Sequence, residues 1–180
     1  MWRDFKKKKL EDFNKAVKEK KVDEPIIKLL RKINKNSDVV TTSSCSGRIV
    51  LLEVDLIEGK KGAKFYKKWH RKVDPGEVEM ALIEHTGKKS LWFRLEPFIL
   101  HVTAKNLDSA KKFMKKMRTA GIKRGGIQSI GKTVVMEFHG TDYVVIPVDF
   151  VSGEWTKILL LCNKMLDRNF KVLKKLEKTF

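Results

Sequence analysis

Apolar residues recur along this chain in two rhythms, one near 3.6 residues and one of two. From Met1 to about Lys20, Trp2, Phe5, Phe13 and Val17 stand among lysines and acids at helical spacing, which predicts a helix with a basic outer face. Asp23 and Pro25 then predict a helix start, the aspartate capping and the proline in the first turn, where no amide hydrogen is needed. Ile26, Ile27, Leu29, Leu30 and Ile33 carry that second helix to about Asn36. Between Val39 and Glu53 the rhythm changes. Two runs of β-branched and aliphatic residues flank Thr41-Thr42-Ser43-Ser44-Cys45-Ser46-Gly47-Arg48, which predicts two strands joined as a hairpin by a hydroxyl-rich turn.

Glu58 to Lys64 reads as a flexible basic loop that Phe65 to Lys72 continues. Asp74-Pro75 opens a short helix through Leu82 and Ile83, stopped by Gly87. Leu91–Leu95 is an expected strand, and Pro97–Ala104 another, so nearly continuous in apolar side chains that a central place in a sheet is predicted. Asn106 to Ala120 is an expected helix with Phe113, Met114 and Met117 inward and Gly121 closing it. Thr133–His139 and Tyr143–Val148 alternate around Gly140-Thr141-Asp142 as an expected antiparallel hairpin. Trp155 to Phe180 completes the series as a long helix with Leu159, Cys162, Leu166, Phe170, Leu173 and Leu176 along its inner face, and Asn163 and Asn169 as polar insertions. Helices first, then hairpins separated by single helices, predict one α+β domain over residues 1–180. Antiparallel or mixed hairpins pack on helices in that architecture, in place of a doubly wound parallel sheet.

Composition adds a partner to this picture. Lys+Arg 40 against Asp+Glu 22 gives a net charge of +18, an electrostatic footprint suited to nucleic acid. The two cysteines, Cys45 and Cys162, form no CxxC and the histidines do not cluster, so neither a disulfide framework nor a metal site is expected. Lys6–Lys9 leads into an amphipathic charged segment where a secretory leader would be apolar, and no run is apolar enough for a bilayer. A cytoplasmic protein with no membrane and no obligate protein partner is expected.

Candidate chemistry concentrates in three stretches and one strand. In the hydroxyl run, the small side chains of Ser43, Ser44 and Ser46 let a ligand approach the backbone. Gly47 can take positive φ, and Arg48 offers a planar fork for a carboxylate or phosphate. Lys64, Lys67, Lys68, Trp69, His70 and Lys72 interleave aromatics with cations, a pattern that stacks on bases while meeting phosphates. Lys123-Arg124-Gly125-Gly126 joins charge to exposed backbone amides, either as a glycine turn entering a strand or as a rest for phosphate or an anionic cofactor tail. His101 interrupts an apolar strand, as a hydrogen-bonded core histidine or as a tuned imidazole beside a cleft. A Cys45–His101 nucleophilic pair would make a cysteine-dependent hydrolase, while GxSxG, HExxH, P-loop and GxGxxG motifs are all missing. Residues alone therefore lead to a basic α+β domain that binds RNA, with an anionic small-molecule site.

Thr42-Ser43-Ser44-Cys45-Ser46-Gly47-Arg48-Ile49, the preceding helix start at Val22-Asp23 with Pro25, the Glu96–Val102 strand and the Gly121–Ile127 segment carry a further signal. Together with Trp69-His70 and the last helix with Asn163 and Asn169, they resemble the tRNA wybutosine-synthesizing protein 3 family over nearly the whole chain. The resemblance implies an S-adenosylmethionine-dependent methyltransferase without the Rossmann-type fold. Its methyl acceptor would be N4 of a tricyclic wyosine-type guanosine derivative next to the anticodon of phenylalanine tRNA.

On that reading His101 is the expected base, with Ser44 and Cys45 at the reaction centre. Ser43, Ser44, Ser46, Gly47, Arg48, Gly125, Gly126 and Asn163 are expected toward the cofactor. Lys64, Lys67, Lys68, Trp69, His70, Lys72, Lys123 and Arg124 are expected toward the anticodon region of tRNA-Phe. Where the family pattern commonly has a serine before the second glycine, this chain has Gly125. The alternative from another class is a noncatalytic RNA-binding domain whose hydroxyl turn grips a phosphate.

Overall fold

The computed structural model describes residues 1–55, 59–153 and 155–180; Glu58, where the basic loop was expected to begin, lies outside them. In chain order the elements are α1 (Trp2–Lys18), α2 (Glu24–Asn34), β1 (Val39–Cys45), β2 (Arg48–Asp55), β3 (Gly59–Trp69), α3 (Pro75–Ile83) and β4 (Ser90–Glu96). There follow β5 (Ile99–Ala104), α4 (Leu107–Thr119), β6 (Gly125–Ile130), β7 (Val134–His139), β8 (Val144–Pro147), a 3-10 turn (Val148–Phe150) and α5 (Trp155–Thr179). The strands form two sheets, β1-β5-β7-β6 and β3-β2-β4-β8, antiparallel throughout, so the architecture is α+β as expected. No described helix is long and apolar enough to cross a membrane.

Contacts divide the chain into two compact units, Met1–Ser46 with Phe98–Thr141 and Phe170–Phe180, and Gly47–Pro97 with Asp142–Asn169. In the first unit α2 buries Ile26, Leu29, Leu30 and Ile33 in one core with Phe113 and Met117 of α4, Leu100 and Val102 of β5, Met136 and Phe138 of β7, and Leu173 and Leu176 of α5. Each such side chain contributes about 1.5–3 kcal/mol of transfer free energy, which fixes the helices on one face of the sheet. The long apolar strand β5 lies inside its sheet, as its composition requires. Asp23 occupies the N-cap position of α2, but its carboxylate accepts from the Ser46 amide at 2.8 Å and not from the helix's own amides.

In the second unit Ile49 and Leu51 of β2 and Phe93 and Leu95 of β4 point to one side, where Trp155 of α5 meets Phe93 at 5.3 Å between centroids. Leu159, Cys162 and Leu166 continue that packing. Asn163 ties the segment after β3 to this helix, its Oδ1 accepting from the Val73 amide at 3.0 Å and its Nδ2 donating to the Val73 carbonyl at 2.8 Å. Asp74 caps α3, accepting from Gly76, in a reciprocal capping box with Glu77. The Arg71 guanidinium bonded to Glu77 pulls that carboxyl down to about 2.

Three expectations about connectivity fail. The hydroxyl run does not turn a hairpin: β1 extends through Cys45 and pairs with β5, while β2 pairs with β3 and β4 in the other sheet. The expected basic loop is strand β3, paired with β2 along one edge of its sheet. Nor do β7 and β8 pair with each other, since β7 lies between β5 and β6 and β8 completes the other sheet beside β4. In the first and third cases the expected hairpin partner is passed over for a strand distant in sequence. Burying an apolar face and satisfying every ladder amide outweigh the convenience of a short turn.

Gly125 opens β6 at φ +119, and a Cβ there would lie 2.1 Å from the Glu137 carbonyl oxygen and 2.6 Å from Phe138 Cα. A serine is incompatible with this backbone, which accounts for glycine at this position of the chain. Gly126, next along, has open space where a Cβ would stand. Gly125→Ala is therefore expected to cost at least about 2 kcal/mol in urea unfolding, while Gly126→Ala stays within about 1 kcal/mol of the parent. Burial raises the Cys162 thiol to about 11. With the folded value above the unfolded one, this thiol's contribution to stability is whole below about pH 8.5 and is lost as pH rises toward 11. Urea midpoints at pH 8 and 10.5 should fall farther apart in the parent than in Cys162→Val.

Candidate functional site

The first unit assembles a polar row across its sheet. Between Thr41 and Ser44 the β1–β5 register slips by one residue, since Thr41 pairs with Val102 but Ser44 with Leu100. Such a bulge re-aims backbone groups that a regular ladder would consume. Here the Ser43 carbonyl accepts from Nδ1 of His101 at 2.5 Å, and Ser44 Oγ faces the His101 amide at 3.4 Å. On its other side His101 lies in register with Glu137 of β7, and Nε2 meets Glu137 Oε2 at 2.6 Å. Gly126 of β6 pairs in turn with Glu137, so Ser43, His101, Glu137 and Gly126 follow one another across four strands.

Both groups facing the ring nitrogens of His101 are oxygens, the Ser43 carbonyl and the Glu137 carboxylate, and gripped from both sides the imidazole plane is fixed. The side chains of His101 and Glu137 are each about 30% exposed (29% and 30%), accessible to a ligand but partly shielded from water.

Thr41 to Ser44 of β1 also line a cavity of about 290 Å3, together with apolar Phe13, Ala16, Val22 and Leu30 and with Lys9, Asp12 and Lys21. Thr41 is buried and committed, its amide and hydroxyl both donating to Asn34 Oδ1 at 2.8 and 3.1 Å. The Asn34 amide nitrogen, buried on the same side chain, has no acceptor in the structure. An apolar floor with a hydroxyl rim and ammonium groups suits an aromatic heterocycle carrying polar edges.

Of the residues expected from sequence, Ser43, Ser44, His101 and Gly126 come together in this row, Cys45 ends β1 and Ser46 follows it. Ser46 is fully buried, its amide held by Asp23. His101 directs its ring nitrogens to Ser43 and Glu137, not to Cys45. Gly125 serves the backbone approach described above. Lys123 and Arg124 are exposed just ahead of β6.

Gly47 and Arg48 open the second unit, Gly47 at φ +98 as its place in the run requires. Arg48 Nε is bonded to Glu96 Oε2 at 2.8 Å and the guanidinium lies 4.5 Å from the Phe65 centroid. The Asn163 amide is engaged with Val73 on both sides. Lys64, Lys67, Lys68 and Trp69 lie on β3, followed by His70 and Lys72. Lys67 faces Glu84 at 3.6 Å and Lys72 faces Asp167 at 3.3 Å, while Lys68 is exposed above Phe65.

Sequence reasoning missed Glu137, Asn34 and the aspartate–amide link from Asp23 to Ser46. Alternation in Val134–His139 assigns Glu137 to the side away from the core, but only the β5–β7 register matches it to His101.

Comparison with known proteins agrees with this architecture. A family described as Methyltransferase TYW3 matches residues 4–180. A Thermococcus sibiricus protein named tRNA(Phe) 7-((3-amino-3-carboxypropyl)-4-demethylwyosine(37)-N(4))-methyltransferase is 37% identical over 179 residues, 96% of this chain and 90% of its own. An Archaeoglobus fulgidus protein of the same name is 38% identical over 148 residues, 82% of this chain and 74% of its own. The structure of the PH1069 protein from Pyrococcus horikoshii superposes with a TM-score of 0.89 at 37% identity, covering 98% of this chain and 94% of that one. With a family match running from near its first residue to its last, the chain belongs to the TYW3 methyltransferase family.

Proposed function

We propose that this chain methylates N4 of a wyosine-type guanosine derivative at position 37 of phenylalanine tRNA, the reaction for which its relatives are named. The observation that carries the reading is the His101–Glu137 pair, 2.6 Å apart and bonded through His101 Nδ1 to the hydroxyl run of β1 at Ser43. We further propose S-adenosylmethionine as the methyl donor. When bound it supplies an electrophilic methyl on a sulfonium, which needs an aligned nucleophile and little covalent help.

The residues present fit that group in kind. Phe13, Val22 and Leu30 offer an apolar seat, and Thr42, Ser43 and Ser44 offer hydroxyls. Methylation of a ring nitrogen releases its proton. Glu137 is proposed to take it, its carboxylate held in position 2.6 Å from Nε2 of His101. His101 thus serves proton transfer as a partner of Glu137. The net charge of +18 draws in the tRNA backbone, and exposed Lys64, Lys68, Lys123 and Arg124 are proposed phosphate contacts.

Calorimetric titration with S-adenosylmethionine, paired with a methyl-transfer assay on hypomodified tRNA-Phe, tests both parts. Ser44→Ala is expected to weaken cofactor binding by roughly 3–10-fold, the loss of one hydrogen bond. Glu137→Gln is expected to leave cofactor affinity intact and lower turnover by roughly 10²–10⁴-fold, the range of general acid–base catalysis. Full turnover by Glu137→Gln would remove the proposed proton acceptor. Salt-sensitive RNA binding with no affinity for S-adenosylmethionine, in the presence or absence of tRNA, would favour a noncatalytic RNA-binding domain.

A further inference from the structure

The four-stranded sheet of the second unit has two unlike faces. One is the buried face of Ile49, Leu51, Phe93 and Leu95. Strict alternation turns Trp92, Arg94 and Glu96 of β4 to the other face. Arg48 lies there too, bonded to Glu96 at 2.8 Å and stacked on Phe65 of β3, with the Lys68 ammonium 5.9 Å from the same ring. At the β8 side Arg94 donates to the Tyr143 hydroxyl and its guanidinium lies 5.4 Å from that ring.

Two of these rings are open to solvent, Phe65 at 50% and Tyr143 at 46% exposure. Phe65 stands on β3 at the slip in the β2–β3 register and Tyr143 just ahead of β8, so that together with the cations they form a mixed patch open to a partner. Two donors on the face, Trp92 Nε1 and Arg94 Nε, are buried and have no acceptor in the structure. Among the residues named, three cations stand against the single carboxylate of Glu96. The combination calls for a partner with flat π faces, hydrogen-bond acceptors and negative charge.

We infer that this sheet face is a stacking platform for unpaired nucleotides of an RNA loop, with Phe65, Trp92 and Tyr143 offering rings and Arg48, Lys68 and Arg94 offering charge. Antiparallel sheets that present aromatics between cations bind single strands in this way, each base contributing through its π face whatever its identity. A duplex keeps its bases stacked internally and cannot use such rings, so the platform selects loops over helices. This deepens the proposed function and rests on its RNA substrate: the stretch around Phe65 and Lys68 divides by the strand's pleat, and partners from β4 and the β8 edge join one of its sides.

The test compares a 17-nucleotide unmodified anticodon-arm hairpin with a blunt RNA duplex of similar length by fluorescence anisotropy, in the parent, Phe65→Ala, Tyr143→Ala and Lys68→Gln. The exposed positions make these variants mild for folding. The parent is expected to prefer the hairpin. Phe65→Ala and Tyr143→Ala should each weaken hairpin binding about tenfold or more with the salt slope unchanged, and leave duplex binding near the parent's. Lys68→Gln should weaken both RNAs and lower the salt slope by about one. Equal affinity of the parent for hairpin and duplex, or parent-like hairpin affinity in both aromatic variants, would overturn the platform.

Methyl transfer measured on the same proteins separates this inference from the proposed reaction. Loop-selective binding lost in the aromatic variants, in a parent that transfers no methyl group, would retain the platform and remove the activity. Turnover with unchanged KM for tRNA in both aromatic variants would retain the activity and remove the platform.

Discussion

The pairing of β5 with β7 is the constraint on which the candidate site depends. It sets His101 opposite Glu137 and, through the same antiparallel register, aligns Leu100 with Phe138 and Val102 with Met136 in the core. A shift of one residue would turn His101 into the core and Leu100 out of it, so the packing that stabilises the unit also holds the site in register. The bulge at Thr42 and Ser43 adds the second half. It turns a ladder carbonyl toward the imidazole, so that backbone and carboxylate grip the ring from both sides.

Charge acts on a different scale. An excess of +18 gathers a polyanion from a distance without saying where it lies. Local chemistry supplies direction, and the two sheets supply it differently. The first offers a histidine–carboxylate pair suited to moving a proton and a small cavity lined by the hydroxyl run of β1. The second offers exposed rings between guanidinium groups, suited to gripping unpaired bases. The second unit has a histidine–carboxylate pair of its own, His85 and Glu53 at 2.9 Å with Tyr66 edge-on to the imidazole. His85, just after α3, is the more buried of the two histidines, its side chain 11% exposed, and its ring is held by Glu53 of β2 and Tyr66 of β3.

Arg48 and Asn163 illustrate how residue type alone can mislead. A guanidinium fork after a glycine invites an anionic ligand, yet Arg48 already holds Glu96 and covers Phe65. A polar insertion in an apolar helix suggests a site, yet Asn163 satisfies both backbone groups of Val73. Buried or half-buried polar groups acquire partners during folding, and those partners come from distant parts of the chain.

The sequence by itself determined the helices, the strand character of most β segments, the α+β class and the family, because periodicity, caps and contiguous motifs are local properties. α2 with Pro25 in its first turn, α4 closed by Gly121, and α5 with its stripe from Leu159 to Leu176 were legible for that reason. Strand partners were not. Whether β1 meets β2 or β5, whether Lys-rich β3 is loop or edge, and which acid faces His101 depend on registers between segments far apart in sequence. Gly125 shows the same division: its presence was plain in the sequence, but its necessity comes from the Glu137 carbonyl that lies where a side chain would begin. Only tertiary structure brings those atoms together, since the burial and hydrogen-bond satisfaction that select one pairing are summed over the whole fold.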